Sequence, residues 1–307
     1  MNTSSSILGK VRKGDYRSLA KCISAVENEE KGYEEILQSL EFQKKIPVIG
    51  ITGPPGAGKS TLLNAMAEIL SGRAQKIGIL AIDPTSPFTH GSLLGDRVRM
   101  SAHFGNPNIF IRSLATRGSL GGLSAKTMEI TDIMKQADFD IIFIETVGVG
   151  QSEVEIASLA DTTILVLVPG AGDEVQVLKS GIMEIADIFV INKTDRGGAD
   201  VLVKQIEEHL HLKKPEAWSP PVMKATASKG EGVEEILEKT TLHGTMKWKD
   251  KKAEYLAGQA FRLIRSRRMR DVSMQELIKN ISALSDKQGF NLYRFVQDEA
   301  IKNSSGQ

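Results

Sequence analysis

At 307 residues the chain is long enough for one large domain, or for one domain carrying helical extensions. Its 39 basic and 38 acidic side chains leave a formal net charge of +1, so no global field draws it to nucleic acid or to an anionic membrane. The single cysteine, Cys22, excludes an intramolecular disulfide and a thiolate metal cluster, and it reads as a small buried apolar side chain.

Residues 1–45 read as a helical extension. Leu19, Ile23 and Val26, then Tyr33, Ile36, Leu37 and Leu40, follow the spacings of three and four that put side chains on one helix face. Met1 to Tyr16 are Ser-rich and mildly basic but lack the apolar stretch of a leader. The longest apolar run, around Ile164–Val168, falls far short of the ~20 residues that a membrane span needs. The expectation is a cytoplasmic protein that does not engage a membrane.

From Pro47 the texture changes to short β-branched runs bounded by Gly, Pro and Asp. Strands are predicted at Val48–Thr52, Ile77–Ile82, Ile109–Ser113, Ile141–Glu145, Thr163–Val168, Ile188–Ile191 and Val222–Thr226. Each is almost continuously apolar, as happens when helices cover both faces of a sheet, and helical patterns lie between most of them. Residues 46–240 therefore read as a doubly wound α/β domain with a mostly parallel sheet. From residue 241 to 307 the strands stop and Lys/Arg-rich helical patterns take over.

Gly53-Pro54-Pro55-Gly56-Ala57-Gly58-Lys59-Ser60 fits G-x-x-x-x-G-K-[ST], between a predicted strand and an apolar helix bearing Leu62, Leu63, Met66 and Ile69. Glycines let the amides of Gly56, Ala57, Gly58, Lys59, Ser60 and Thr61 curl around phosphates at a helix N-terminus. Lys59 would neutralise the β- and γ-phosphates, and Ser60 would offer its hydroxyl to Mg²⁺. Asn192-Lys193-Thr194-Asp195 follows a later strand, where N-K-x-D reads guanine. The Asp195 carboxylate can accept from the base N1–H and 2-amino group, whereas adenine opposes it with a lone pair. Thr226-Ala227-Ser228-Lys229-Gly230 has the form of the loop that backs the base, with Ala227 at its centre. Glu145-Thr146-Val147-Gly148 ends a strand in the manner of a Walker B/switch II element, with Glu at a position that most GTPases give to Asp. A carboxylate there can hold Mg²⁺, and Gly148 can offer its N–H to the γ-phosphate. Val149 stands where Ras-like enzymes carry the water-orienting Gln, which predicts slow intrinsic hydrolysis dependent on a partner or a dimer contact.

Asp83-Pro84-Thr85-Ser86-Pro87-Phe88, Gly95-Asp96-Arg97-Val98-Arg99-Met100 and Glu145–Glu153 (E-T-V-G-V-G-Q-S-E) resemble the switch regions of the MeaB/MMAA family, also called ArgK-type. These are P-loop GTPase chaperones of cobalamin-dependent acyl-CoA mutases, and the similarity runs from about Gly14 almost to the C-terminus. The resemblance implies that Asp83, Asp96 and Glu145 surround Mg-GTP as catalytic or metal-holding acids beside Lys59 and Ser60. On the residues alone, Asp83 also suits a turn cap before Pro84, and Asp96 a solvated helix charge. Pro169–Lys179 resembles the family's third switch segment, although its composition also suits a plain strand-to-helix loop capped by Asp173.

Arg262, Arg265, Arg267, Arg268 and Arg270 crowd a helical stretch interspersed with Leu256, Phe261, Leu263 and Ile264. Such a run is usually a solvated face; the resemblance implies an arm for homodimerisation, whose Leu277, Ile278, Ile281 and Leu284 need a covering surface. The same resemblance implies a chaperone that gates adenosylcobalamin loading onto a mutase such as methylmalonyl-CoA mutase, and protects it. No D-x-H-x-x-G cobalamin motif is present, so the chain is expected to serve the cofactor's acceptor rather than to carry the cofactor. Two alternatives share the nucleotide motifs. A nickel metallochaperone would show a His-rich tract or a Cys-His pair, and a kinase of a transport protein would need an acceptor site.

Overall fold

The apolar runs form seven strands: β1 (Val48–Thr52), β2 (Ile77–Asp83), β3 (Ile109–Ala115), β4 (Ile141–Glu145), β5 (Thr162–Leu167), β6 (Ile188–Ile191) and β7 (Val222–Lys224). In the computed structural model, which describes residues 3–42, 44–83, 103, 105–115, 126–146, 155–170, 181–211, 217–246, 251–269, 272–284 and 290–297, they join one sheet. Its order is β3-β2-β4-β1-β5-β6-β7, and every pairing is parallel. β1 therefore lies between β4 and β5, where successive connections part to opposite sides. Clefts for ligands open at the C-terminal ends of strands at such a point.

The strand limits depart from expectation in ways the pairing explains. β2 and β3 run on to Asp83 and Ala115 because these two residues still pair with each other. β5 starts one residue early, at Thr162 opposite Ile49. β7 stops at Lys224, since Thr226 turns away to bridge antiparallel to Glu231.

Helices clothe both faces: α1 (Thr3–Arg12), α2 (Tyr16–Glu27), α3 (Tyr33–Gln38), α4 (Lys59–Gly72), α5 (Thr127–Met134), α6 (Ile182–Ile185), α7 (Ala199–His211) and α8 (Val233–Thr245). Alternate residues of each strand look to opposite layers. Ile49 and Ile51 pack with α4 and α8 through Leu62, Leu63, Met66, Val233 and Ile236. Val48, Ile142 and Ile144 pack with Leu8, Val11, Leu19, Ile23 and Val26 of the N-terminal helices. Those helices thus belong to the same core as the sheet. Tyr16, Phe110 and Phe139 seal this layer with ring centroids 5.4, 5.6 and 6.1 Å apart, each pair adding about 0.5–1.5 kcal/mol beyond its buried area. The segment after α3 is held by the Gln136 side chain, which donates to Glu41 O at 2.8 Å and accepts from Glu41 N at 3.0 Å.

A repeated device fixes register at the N-terminal end of the sheet. Asp140, Asp161 and Asp187 each stand one residue before a strand. Each donates its N–H to a neighbouring strand, to Lys76 O, Val48 O and Thr163 O at 2.8, 2.7 and 2.9 Å. Each carboxylate then accepts the N–H of that same residue, at 2.9, 2.9 and 2.7 Å. Edge amides that would otherwise lack a ladder partner are satisfied in this way.

The chain divides into two compact units, Met1–Met246 and Lys247–Gln307. In the second, α9 (Lys251–Arg268) and α10 (Met274–Leu284) leave Leu256, Phe261, Ile264 and Ile278 more than half exposed, at 53%, 66%, 51% and 58%. No helix among the described residues is long and apolar enough to cross a membrane.

Candidate functional site

Where β1 ends, the chain must turn sharply into α4, and glycine makes the turn sterically feasible. Gly53 has φ +139°, and a Cβ there would lie 2.1 Å from Val166 O of β5. Gly58 has φ +89°, with a Cβ position 2.4 Å from the Asn192 amide nitrogen. Both refuse any larger residue. Gly58 is also the N-cap of α4 and brings no side-chain acceptor, so the amides of the first helical turn are left for a ligand. Their partial positive charge and the helix dipole suit a phosphate. Ala57 is fully buried, while Gly56 and Thr61 lie at the exposed rim.

Lys59, only 7% exposed, folds back over the loop it follows. Its Nζ donates to Gly53 O at 2.9 Å and Pro54 O at 3.1 Å. Both acceptors are carbonyls of the loop itself, and they hold the ammonium over it. Ser60 Oγ donates to Glu145 Oε1 at 2.7 Å, and both residues are buried. Glu145 reaches this point because β4 pairs beside β1, with Glu145 opposite Ile51.

A hydroxyl and a carboxylate are the hard oxygen donors that Mg²⁺ prefers. Among the described residues no group of three or more His, Cys, Asp or Glu gathers to hold a metal.

The residues of the N-K-x-D turn fasten the glycine-rich loop from below. Asn192 is 2% exposed; its Nδ2 donates to Ala57 O at 2.9 Å and its Oδ1 accepts from Ala227 N at 3.1 Å. Lys193, in the left-handed region at φ +58°, donates its Nζ to Gly56 O at 2.6 Å. Thr194 and Thr226 share a hydroxyl hydrogen bond of 3.0 Å, which joins the two base-side loops. Asp195 lies in the short 3₁₀ turn Thr194–Arg196 and is exposed.

Of the predicted site residues, the structure thus gathers Gly56, Ala57, Gly58, Lys59, Ser60, Glu145, Asn192, Lys193 and Ala227 into one bonded assembly, with Asp195 on the loop that carries Asn192. The backbone of Asp83 closes β2, two residues beyond the level at which Ala81 pairs with Glu145. Asp96, Gly148 and most of Pro169–Lys179 lie outside the described residues. Sequence reading gave no role to Thr52, at the end of a predicted strand, or to Thr146, inside the Glu145–Gly148 motif; their hydroxyls bond at 2.9 Å beside Glu145. A polar residue closing the otherwise apolar run Val48–Ile51 was the available signal.

With this geometry in view, comparison with known proteins is specific. The model of the family described as methylmalonyl Co-A mutase-associated GTPase MeaB matches residues 19–285. A protein of Pyrococcus horikoshii named as a GTPase is 48% identical over 242 residues, covering 77% of this chain and 76% of that one. GTPase ArgK of Escherichia coli is 36% identical over 238 residues, covering 74% and 72%. The mitochondrial methylmalonic aciduria type A homolog of Mus musculus is 37% identical over 245 residues, covering 73% of this chain and 59% of its own length. The crystal structure of a LAO/AO transport system kinase shares the fold, with a TM-score of 0.67 at 21% identity over 98% of this chain and 99% of that one.

Proposed function

The chain belongs to the MeaB family of methylmalonyl-CoA mutase-associated GTPases, and from that premise we propose that it is a Mg-GTP-driven chaperone of a cobalamin-dependent acyl-CoA mutase. Its GTP hydrolysis works as a switch, gating adenosylcobalamin loading onto the mutase and protecting it. The observation that carries this reading is the match of the mutase-associated family over residues 19–285. Similarity at 37% to the methylmalonic aciduria type A homolog adds to it.

In the proposed mechanism, the amides from Gly56 to Thr61 wrap the phosphates and hold the γ-phosphoryl group for in-line attack by water. Lys59 is already poised over the loop; on binding it exchanges its carbonyl partners for phosphate oxygens and takes up charge as it develops. Ser60 and Glu145 are the residues that would hold Mg²⁺, with Asp83 and Asp96 as the family's further acids. Bound there, the ion would supply neutralisation of the charge that develops on the phosphates. Asp195 accepts from guanine while Asn192 keeps the phosphate loop and the Ala227 loop at a fixed separation. Gly148 offers its N–H to the γ-phosphate. With Val149 after it, intrinsic hydrolysis is slow and waits for a partner or a dimer contact.

The exposed Leu256, Phe261, Ile264 and Ile278 of the C-terminal unit support a homodimer, since a free chain gains by covering such a face. The cytoplasm is the proposed compartment, with neither nucleic acid nor membrane as partner.

The test is the GTPase rate of the purified chain, alone and with a cobalamin-dependent acyl-CoA mutase from the same genome, with Lys59→Ala as control. Acceleration by the mutase that the variant lacks is expected. Tight GTP binding without acceleration by any such mutase would overturn the chaperone role and leave the GTPase. Transfer of labelled phosphate from GTP to a transport protein would instead favour a kinase.

A further inference from the structure

Thr52 and Thr146 occupy two junctions of the nucleotide site. Thr52 is the last residue of β1, immediately before Gly53 and the phosphate loop. Thr146 is the first residue after β4, immediately beyond Glu145. Two links join them. Thr146 N donates to Ile51 O at 3.1 Å, and Thr146 Oγ1 donates to Thr52 Oγ1 at 2.9 Å. Both side chains are buried, 0% and 1% exposed.

Packing alone does not call for hydroxyls here. Valine has the same shape, and two buried hydroxyls that bond each other contribute close to nothing net over two methyl groups. What the pair adds is direction. A hydroxyl–hydroxyl bond between two β-branched side chains, each stiff about χ1, fixes the two backbones against sliding and rotation. The backbone so fixed is the one from which Glu145 reaches Ser60 at 2.7 Å. Strain on either strand end would therefore pass directly to the contact between the phosphate loop and its metal-side carboxylate.

We propose that Thr52 and Thr146 are positioning residues for GTP hydrolysis, holding the Glu145 carboxylate in register with Ser60 and the phosphate loop. Both are buried, and their hydroxyls are engaged with each other. Their effect is confined to the step that needs the metal-side carboxylate, and diphosphate binding, which the loop amides and the guanine loop supply, does not depend on them. The proposal rests on GTP hydrolysis and not on which client the GTPase serves.

The experiment uses the full chain as Thr52→Val, Thr146→Val, the double variant and Thr146→Ser. It measures thermal midpoint, GDP affinity, affinity for a non-hydrolysable GTP analogue across a magnesium titration, and kcat without any mutase. Each single valine variant leaves one buried hydroxyl without its partner and melts earlier; the double variant regains the wild-type midpoint. kcat is expected to fall about tenfold or more in both singles and to stay low in the double, since a small misplacement of a positioned group costs this much. The magnesium-dependent preference for the analogue over GDP falls with it, GDP affinity holds, and Thr146→Ser recovers kcat. If the double variant recovers kcat together with its midpoint, or if GDP and the analogue weaken equally, the pair is packing and the proposal is wrong. Should wild type itself turn over too slowly to measure, the ratio of analogue to GDP affinity still decides, and the fault then lies with unassisted hydrolysis rather than with the pair.

Discussion

The two ends of the parallel sheet use acidic side chains in opposite ways. At the N-terminal end, Asp140, Asp161 and Asp187 turn their carboxylates onto amides of adjoining strands. There Asp187 also faces the buried His243, 3.4 Å from its Nε2, while His243 Nδ1 meets Thr162 Oγ1 at 2.8 Å and Trp218 Nε1 donates to Asp187 O at 2.8 Å. At the C-terminal end, Glu145 is turned onto a serine hydroxyl that a metal ion would also seek, and Lys59 rests on neutral carbonyls. The first end closes its polar groups on the fold itself. The second keeps an ammonium, a carboxylate and a ring of amides in geometries that a charged ligand can take over. Removing a clamp at the first end should therefore alter stability and leave the chemistry alone, and removing a ligand-facing group at the second should do the reverse.

The largest effect is expected at the nucleotide end. Lys59→Ala should lower GTP hydrolysis by about 10²–10³-fold, the usual loss for one donor that stabilises developing charge. Its thermal midpoint should stay near wild type, and a large drop in that midpoint would break the contrast. Asp195→Asn should come next. An amide cannot accept both guanine N–H groups, so GTP affinity should fall by about a hundredfold. Xanthosine triphosphate, which offers a carbonyl where guanine has its amine, should gain affinity. Competition binding with both nucleotides reads this directly.

A smaller effect of the opposite kind is expected from Asp187→Ala. It removes the partner of the Thr163 amide and the neighbour of His243, and should cost about 1–3 kcal/mol in urea unfolding. GTP hydrolysis per folded molecule should be unchanged. A loss of rate beyond the loss of folded protein would show that the two ends are coupled. The smallest effect concerns Cys22, which lies in the N-terminal helical layer. Burial pushes its thiol from 9.0 to about 11. The folded chain should therefore resist alkylation at neutral pH and react on unfolding, equally with and without nucleotide. A thiol whose folded value is raised favours the fold fully below pH 9.0, and that contribution is lost as pH rises toward about 11.

Much of this architecture is legible in local pattern. The Ile- and Val-rich runs identify the strands because a parallel strand is buried on both faces and admits few polar residues. Gly53, Gly58, Lys59 and Ser60 identify the phosphate loop because one tight turn demands them together. Asn192 is legible through its motif, yet its work is not: it bonds Ala57 O and Ala227 N, 135 and 35 residues away along the chain.

What the sequence by itself determined is therefore everything governed by neighbours along the chain: strand content, the glycine-rich loop between β1 and α4, the N-K-x-D turn, and the family. What the tertiary structure alone decided is which distant groups meet. The placement of β4 beside β1 brings Glu145 to Ser60 and Thr146 to Thr52, and neither meeting is written in spacing. The same holds for the aspartate clamps, which become recognisable only when strand order puts Asp140 against Lys76 and Asp161 against Val48. Local pattern reports which faces are apolar. Hydrogen bonds across strands depend on order and register, which the burial of the whole sheet selects at once.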